Sequence, residues 1–333
     1  MLTGQSHADE RWMTTASLSV VIPVYRGADT IEELVGRLGG LFAKGSAAFE
    51  VILVNDASPD ESWATICRMA ERYPWVRGID LMKNAGQHNA LLCGVRAARH
   101  EVIVTMDDDL QHPPEQVPAL LEKLAEGYDL VYCTPCVEPR SAFRNLASRC
   151  AKHIILKYVA RQDVEISSYR VFRSHVRCAF EHVTNPSIFF DLILSWGART
   201  VGSLQLDHNV SKTGASSYSF TRLLWHALNM LTSYSVLPLH FASWIGFAVT
   251  GIGCAVLVFT LMSFLIQGRV VPGFAFLSSI IAIFSGAQLF SVGILGLYLA
   301  RMYEGMMGRS AYVIRGRTPG DARVRETNTN VTE

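Results

Sequence analysis

Three consecutive carboxylates, Asp107-Asp108-Asp109, followed by Leu110-Gln111, stand directly after an apolar run, Val102–Met106. Like charges gathered at one place repel, and the repulsion raises a carboxyl pKa unless a cation answers it. A hard divalent ion such as Mg2+ or Mn2+ takes oxygen ligands of this kind and bridges to a diphosphate. Alternate side chains of an extended backbone share a side. Asp107 and Asp109 are therefore the expected metal ligands, with Gln111 adding a neutral oxygen. An acidic loop that only caps the helix after Pro113-Pro114 is the other reading of the same residues.

Two further groups fall at equivalent places. Asn55-Asp56 ends the run Val51–Val54, and Pro23, Val24 and Tyr25 close the run Leu18–Val24. Asp56 could accept hydrogen bonds from a ribose or a base, or could cap a turn with Ser58. In Asn84-Ala85-Gly86-Gln87-His88, Gly86 permits close backbone approach, and Asn84 and Gln87 carry amides suited to polar ligand atoms. An ordinary strand-to-helix turn has the same composition. No Ser-His-Asp arrangement or Walker loop is evident. The G-x-G spacing at Gly251 and Gly253 lies in an apolar segment.

The elements that must position these groups alternate along residues 18–132. Strands are expected at Leu18–Val24, Val51–Val54, Val76–Leu81, Val102–Met106 and Asp129–Tyr132. Helices are expected at Thr30–Phe42, Ser62–Arg72, Asn89–Ala98 and Glu115–Glu126, the last opened by prolines. Short buried strands separated by helices imply parallel β-α-β units. Ligands of such sheets bind beyond the carboxyl ends of the strands, where all three polar groups fall. Between 133 and 240, Ser141–Val159 and Ser219–Ser235 read as basic, aromatic amphipathic helices. Such helices either lie in a bilayer's headgroup layer or pack on the sheet with a solvated face.

Phe241–Ile266 and Phe274–Leu299 contain no Asp, Glu, Lys, Arg or His. Each exceeds the ~20 apolar residues needed to span a ~30 Å hydrocarbon core. The short link Gln267–Pro272 makes them a hairpin, and small residues (Gly251 and Ala255, Ala282 and Gly286) allow close helix approach. Arg301, Arg309, Arg315 and Arg317 follow the second span, whereas the link holds only Arg269. The positive-inside rule therefore places both termini in the cytoplasm. The chain reads as a mobile tail (1–17), a catalytic domain (18–215), an interfacial helix (216–240), the hairpin (241–299) and a basic cytoplasmic tail (300–333). Net charge is +1, which gives no reason to expect a nucleic-acid partner. Seven cysteines show no framework, and Cys133 with Cys136 reads as buried reduced thiols.

VVIPVY, VNDASPD, NAGQHNA and DDDLQHPPE, followed by two C-terminal apolar segments, resemble family 2 glycosyltransferases. The resemblance covers about residues 18–310 and is to the polyprenyl-phosphate branch: dolichyl-phosphate mannose synthases, bactoprenol glucosyltransferases and undecaprenyl-phosphate formamido-arabinose transferases. It implies a GT-A nucleotide-sugar-binding (Rossmann-like) domain and inverting transfer from a nucleotide-sugar, a UDP-sugar favoured, to undecaprenyl phosphate for cell-envelope glycan or lipopolysaccharide modification. The setting it implies is the bacterial inner membrane, with a homo-oligomeric assembly. On the resemblance, Pro23, Tyr25, Asn55, Asp56, Asn84, Gln87, Asp107 and Asp108 face the nucleotide-sugar, and Asp107, Asp109 and Gln111 hold Mg2+ or Mn2+. Asp109 and Asp191 fall at catalytic positions, and His208, Ser216 and Tyr218 in a phosphate-binding segment. The arginine of that segment is Ser211 here, so Lys212 is expected to replace it, with Arg170, Arg173 and Arg222 as further candidates. The Asn-Glu that follows the first-strand tyrosine in the family is Arg26-Gly27, which removes an acidic contact. A phosphate monoester is largely ionised near neutral pH, its second pKa being about 6, so its oxygen is already a nucleophile. The barrier lies in charge growing on the leaving diphosphate, which the metal and Lys212 are expected to stabilise. Transfer to another lipid or glycan acceptor, and a non-catalytic nucleotide-sugar-binding scaffold, remain the alternatives.

Overall fold

The computed structural model describes residues 17–43, 48–135, 166–181, 183, 188–206, 236–267 and 273–319. The amphipathic stretch 141–159, residues 216–235 of the expected interfacial helix, and the expected N-terminal tail up to residue 16 lie outside them. The chain forms two compact units: Met1–Ser216 with Arg309–Glu333, and Ser217–Gly308.

In the first unit the order is β1 (Leu18–Val24), α1 (Ile31–Phe42), β2 (Phe49–Asn55), α2 (Ser62–Arg72), β3 (Val76–Leu81), α3 (Gln87–Ala97), β4 (Val102–Thr105), α4 (Val117–Ala125), β5 (Leu130–Pro135), β6 (Arg170–Arg173), α5 (Phe190–Gly197) and β7 (Val201–Leu206). In the second, α6 (Leu237–Gln267) and α7 (Phe274–Met306) follow, and the chain returns to the first unit as β8 (Ile314–Arg317).

Strands β1, β2 and β4 are largely apolar on both sides because helices cover both faces, whereas β3 (VRGIDL) also buries Arg77 and Asp80. Leu18, Val20, Ile22 and Val24 of β1 belong to one core cluster, with Val51, Leu53, Val104 and the inner residues of α1, α2 and α4. Val21 points the other way and packs with Ile52, Val54, Ile79, Ile103 and the inner residues of α3 and α5. Full burial of each such side chain contributes roughly 1.5–3 kcal/mol. This alternation fixes the register, since a slip of one residue would exchange the two faces.

Among the described residues one eight-stranded sheet results, in the order β7-β5-β6-β4-β1-β2-β3-β8. Strands β3-β2-β1-β4 are mutually parallel, as the sequence pattern expects. The flanks are not: β6 runs antiparallel between β4 and β5, and β8 runs antiparallel on β3. Two successive antiparallel pairings leave β5 parallel to β4 but one strand removed from it. Secondary structure also occurs within the expected tail from 300. Arg301–Met306 continue α7, and Ile314–Arg317 take up the open edge of β3. Gly78 and Thr318 fasten this edge: Thr318 N–H donates to Gly78 O at 3.0 Å and Gly78 N–H to Thr318 Oγ1 at 2.9 Å.

Helices α6 and α7 contain 31 and 33 residues, roughly 45–50 Å each at helical rise. Within them, Pro238–Ser263 and Ile283–Met306 have mean hydropathies of 2.2 and 1.7 and none of their most apolar stretches is buried, so both are long and apolar enough to cross a membrane. Trp244, Phe247, Phe259 and Leu289 are among the exposed side chains. The close approach of the two helices is at Gly253, where an added methyl would meet the Phe284 ring at 2.2 Å. Gly251 and Gly286, expected at the contact, have open space around them.

Candidate functional site

The carboxyl ends of β1, β2 and β4 and the loop after β3 enclose a cavity of about 340 Å3. Pro23, Val24 and Tyr25 come from β1 and its end, Asp56 follows β2, Asn84, Gly86 and Gln87 come from the loop after β3, and Asp107, Asp108 and Asp109 follow β4. Among the described residues the lining has four carboxylates and no Lys, Arg or His.

Asp56 is buried and holds the loop after β3. Its Oδ1 accepts from Ala85 N–H at 2.7 Å and its Oδ2 from Gly86 N–H at 2.9 Å. Burial raises its pKa against the lowering effect of those two bonds. Gly86 has φ +88°, a conformation that glycine reaches without strain, and it caps α3. Among the described residues, three non-glycine residues also have positive φ, each directly after or beside a lining residue: Arg26 (+59°), Ala57 (+50°) and Leu110 (+61°). Such conformations cost about 1–3 kcal/mol each and gather where surrounding structure dictates side-chain direction.

The acidic triplet fans out. Asp107 accepts from Gln87 Nε2 at 2.6 Å and from Ser168 Oγ at 2.7 Å. Asp108 turns toward β1 and accepts from Tyr25 N–H at 3.3 Å. Asp109 accepts from the backbone N–H of Gln111 at 3.1 Å and from its Nε2 at 2.5 Å. Burial, followed by the charges of Asp107 and Asp109, pushes Asp108 up to about 7. Uncompensated negative charge on hard oxygen donors suits a divalent Mg2+ or Mn2+. Among the described residues, however, no three His, Cys, Asp or Glu side chains are gathered as a ready metal cage. The fit is one of donor chemistry, with Asp107 and Asp109 presented to the cavity.

Several expected site residues lie elsewhere. Asn55 is 2 % exposed, and its Nδ2 donates to Asp80 Oδ1 at 2.7 Å, away from the cavity lining. Its place on the last pleat of β2 points it toward β3, where Asp80 is its register partner. Gln111 spends its amide N–H on Asp109 and does not line the cavity. Asp191 and Arg170 are both buried and form an ion pair with each other, so neither lines the cavity as a free acid or a free phosphate ligand. Arg173 reaches the carbonyls of Tyr128 and Leu124 instead of the cavity. His208, Ser211, Lys212, Ser216, Tyr218 and Arg222 lie outside the described residues.

Sequence reasoning missed Ser168, which anchors Asp107, and Thr105, which accepts from Arg170. Neither carries a local signal, because both act across β4 and β6. His88 follows Gln87 but turns inward, edge-on to Phe189 with ring centroids 5.0 Å apart. Its Nδ1 is buried without a hydrogen-bond partner among the described residues. Burial and then the charge of Arg170 bring its imidazole down to about 4, so it is neutral at physiological pH.

Residues 19–174 match the family described as glycosyl transferase family 2. The undecaprenyl-phosphate 4-deoxy-4-formamido-L-arabinose transferase of Shewanella sediminis is 33% identical over 326 residues, covering 94% of this chain and 97% of the relative. That of Sodalis glossinidius is 31% identical over 307 residues, covering 91% and 94%. Among solved structures, S. aureus TarS 1-349 in complex with UDP-GlcNAc is 17% identical with a TM-score of 0.46, covering 65% of each chain.

Proposed function

This chain belongs to glycosyl transferase family 2, and on that premise we propose that it transfers a sugar from a nucleotide diphosphate-sugar, a UDP-sugar favoured, to undecaprenyl phosphate. The observation that carries this reading is the cavity at the strand ends, faced by Asp107, Asp108 and Asp109. The curated relatives, aligned over nearly their full length, support the lipid acceptor through the activity that they are named for.

Tyr25 is 46% exposed at the rim, with the Arg26 guanidinium 5.5 Å from its ring centroid, and offers a face on which a base can stack. Asp56 holds the Ala85–Gly86 backbone in place and leaves Asn84 and Gln87 at the cavity. Asp107 and Asp109 would hold Mg2+ or Mn2+, which when bound neutralises charge on the departing diphosphate. The acceptor phosphate, ionised near neutral pH, needs no strong base. Lys212, with His208, Ser216, Tyr218 and Arg222, is proposed to bind that phosphate in place of the family's arginine at Ser211. Helices α6 and α7 are proposed to anchor the chain in the bacterial inner membrane, with the catalytic domain and both termini cytoplasmic. Their length, their exposed apolar side chains and the arginines after α7 support this placement.

Purified full-length protein, Mn2+, a panel of UDP-sugars and undecaprenyl phosphate test the reading. A glycosylated lipid phosphate, detected by mass spectrometry and reduced at least ~100-fold by Asp109→Ala, is the expected result. Transfer to a diacylglycerol or glycan acceptor with none to undecaprenyl phosphate would overturn it.

A further inference from the structure

Behind the cavity, β4 and β6 pair with Thr105 opposite Arg170. Arg170 is 1% exposed and is a large side chain to find fully buried. Its Nε donates to Thr105 Oγ1 at 2.8 Å, its Nη1 is ion-paired with Asp191 on α5, and its guanidinium lies 4.7 Å from the Phe190 ring centroid. Tyr132 O–H donates to the same Asp191 oxygen at 3.3 Å. The connection continues forward. Thr105 Oγ1 donates to Ser168 O at 3.1 Å, and Ser168 Oγ donates to Asp107 Oδ2 at 2.7 Å. An unbroken series of contacts therefore runs from Asp191 through Arg170, Thr105 and Ser168 to Asp107 at the cavity.

We propose that Arg170 and Asp191 act as one buried positioning unit for Asp107, with Asp191 serving as the counter-ion of Arg170 and not as a proton acceptor in the transfer. This rests on the proposed role of Asp107 at the metal and diphosphate.

A guanidinium buried without a partner is strongly unfavourable, and Asp191 is the carboxylate that answers it. That carboxylate is 5% exposed, engaged through Oδ1 by both Arg170 and Tyr132, and outside the cavity lining among the described residues. The planar fork of arginine also fixes direction as lysine cannot: Nε is committed to β4 and Nη1 to α5. Burial brings Arg170 down to about 10, against the raising effects of Tyr132 and Asp107, so it remains a cation at neutral pH. A site of this kind needs its ligands held to within about 0.5 Å, and the Thr105–Ser168 link delivers that constraint to Asp107.

The test uses the full-length protein and two readouts, Mn2+-dependent UDP binding by calorimetry and the pH–rate profile. Ser168→Ala, which cuts the series next to Asp107 without touching the buried pair, is expected to weaken Mn2+-dependent UDP binding about 10-fold with the melting temperature nearly unchanged. Arg170→Gln and Asp191→Asn are each expected to weaken it at least as much, and the double variant no more than the worse single one. Arg170→Lys should fall between wild type and Arg170→Gln. The pH dependence of kcat in Asp191→Asn should match that of the wild type. Additive losses, a Ser168→Ala protein that binds Mn2+ and UDP normally, or an Asp191→Asn protein that binds normally but loses one limb of the pH–rate profile would each overturn the proposal. A wild type that binds Mn2+ and UDP but transfers no sugar would sink the proposed function while the binding series still decides this inference.

Discussion

Gly27 and Asp108 fit into one another: a methyl group added to residue 27 would stand 2.4 Å from Asp108 Oδ2. The family resemblance implies a glutamate at position 27. Its absence opens the space that the Asp108 carboxylate enters, where it meets Tyr25 N–H at 3.3 Å. The acidic group beside Tyr25 is thus supplied from β4 instead of from the β1 turn. Gly27→Ala is expected to displace Asp108 and to weaken UDP binding roughly 10-fold, about 1.4 kcal/mol. Titration with UDP in Mn2+ reads the change. Unaltered affinity would mean that Asp108 yields without consequence.

Asp108 also sets a pH dependence. Its pKa is raised to about 7 in the folded protein from the ordinary 3.8. The folded state therefore holds the proton more tightly than the unfolded one, and its stability falls as pH rises from about 4 to 7, then levels off. In EDTA at pH 8, Asp108→Asn is expected to stabilise the protein on the order of 2 kcal/mol after allowance for solvent screening. The gain should shrink toward pH 4, and adding Mn2+ should narrow the gap at pH 8. Thermal melts of both proteins at pH 5 and 8 check this.

Asp56→Asn replaces an acceptor of two N–H groups by a side chain with one oxygen. Either Ala85 N–H or Gly86 N–H then faces a donor. Stability should fall by about 1–3 kcal/mol, and donor affinity should fall with it because the loop bearing Asn84 and Gln87 loosens. Melting and UDP titration on the same sample separate the two effects.

Thr318→Val keeps the shape of the side chain but removes the acceptor of Gly78 N–H. A buried donor is left alone, at a cost of about 1–3 kcal/mol, whereas Thr318→Ser should lose less. Gly78→Ala drives a methyl to 2.5 Å from Ile66 Cγ2 and 2.8 Å from Thr318 Cγ2. It is expected to be at least as harmful, by about 1–3 kcal/mol. Urea melts of the first unit's transition rank the three variants.

The legible part of this molecule is its local part. The short apolar runs of β1 and β2 and the helical spacing of α1 and α2 decide those elements wherever they are placed. Acidic residues that end short buried strands announce the cavity, because parallel strands end on one side of the sheet. By contrast, β6 (RVFR) and β8 (IRGR) are four residues each and rich in arginine. Only the open edges of β4, β5 and β3 make them strands. Asp191 was legible as an acidic residue at a suggestive position, but its partner lies on β6, and the pairing decides what it can do. Asn55 shows the same limit: its neighbour Asp56 faces the cavity, while it faces Asp80.

The strand β8 gives the protein an order of assembly. Gly78 and Thr318 are 240 residues apart in the chain. During synthesis the edge of β3 stays open until both long apolar helices have left the ribosome. A chain cut short anywhere in the hairpin keeps its cavity residues but carries an uncapped sheet edge, a template on which other chains can pair and aggregate. The β3 edge is therefore covered only by residues that lie beyond the hairpin in the chain.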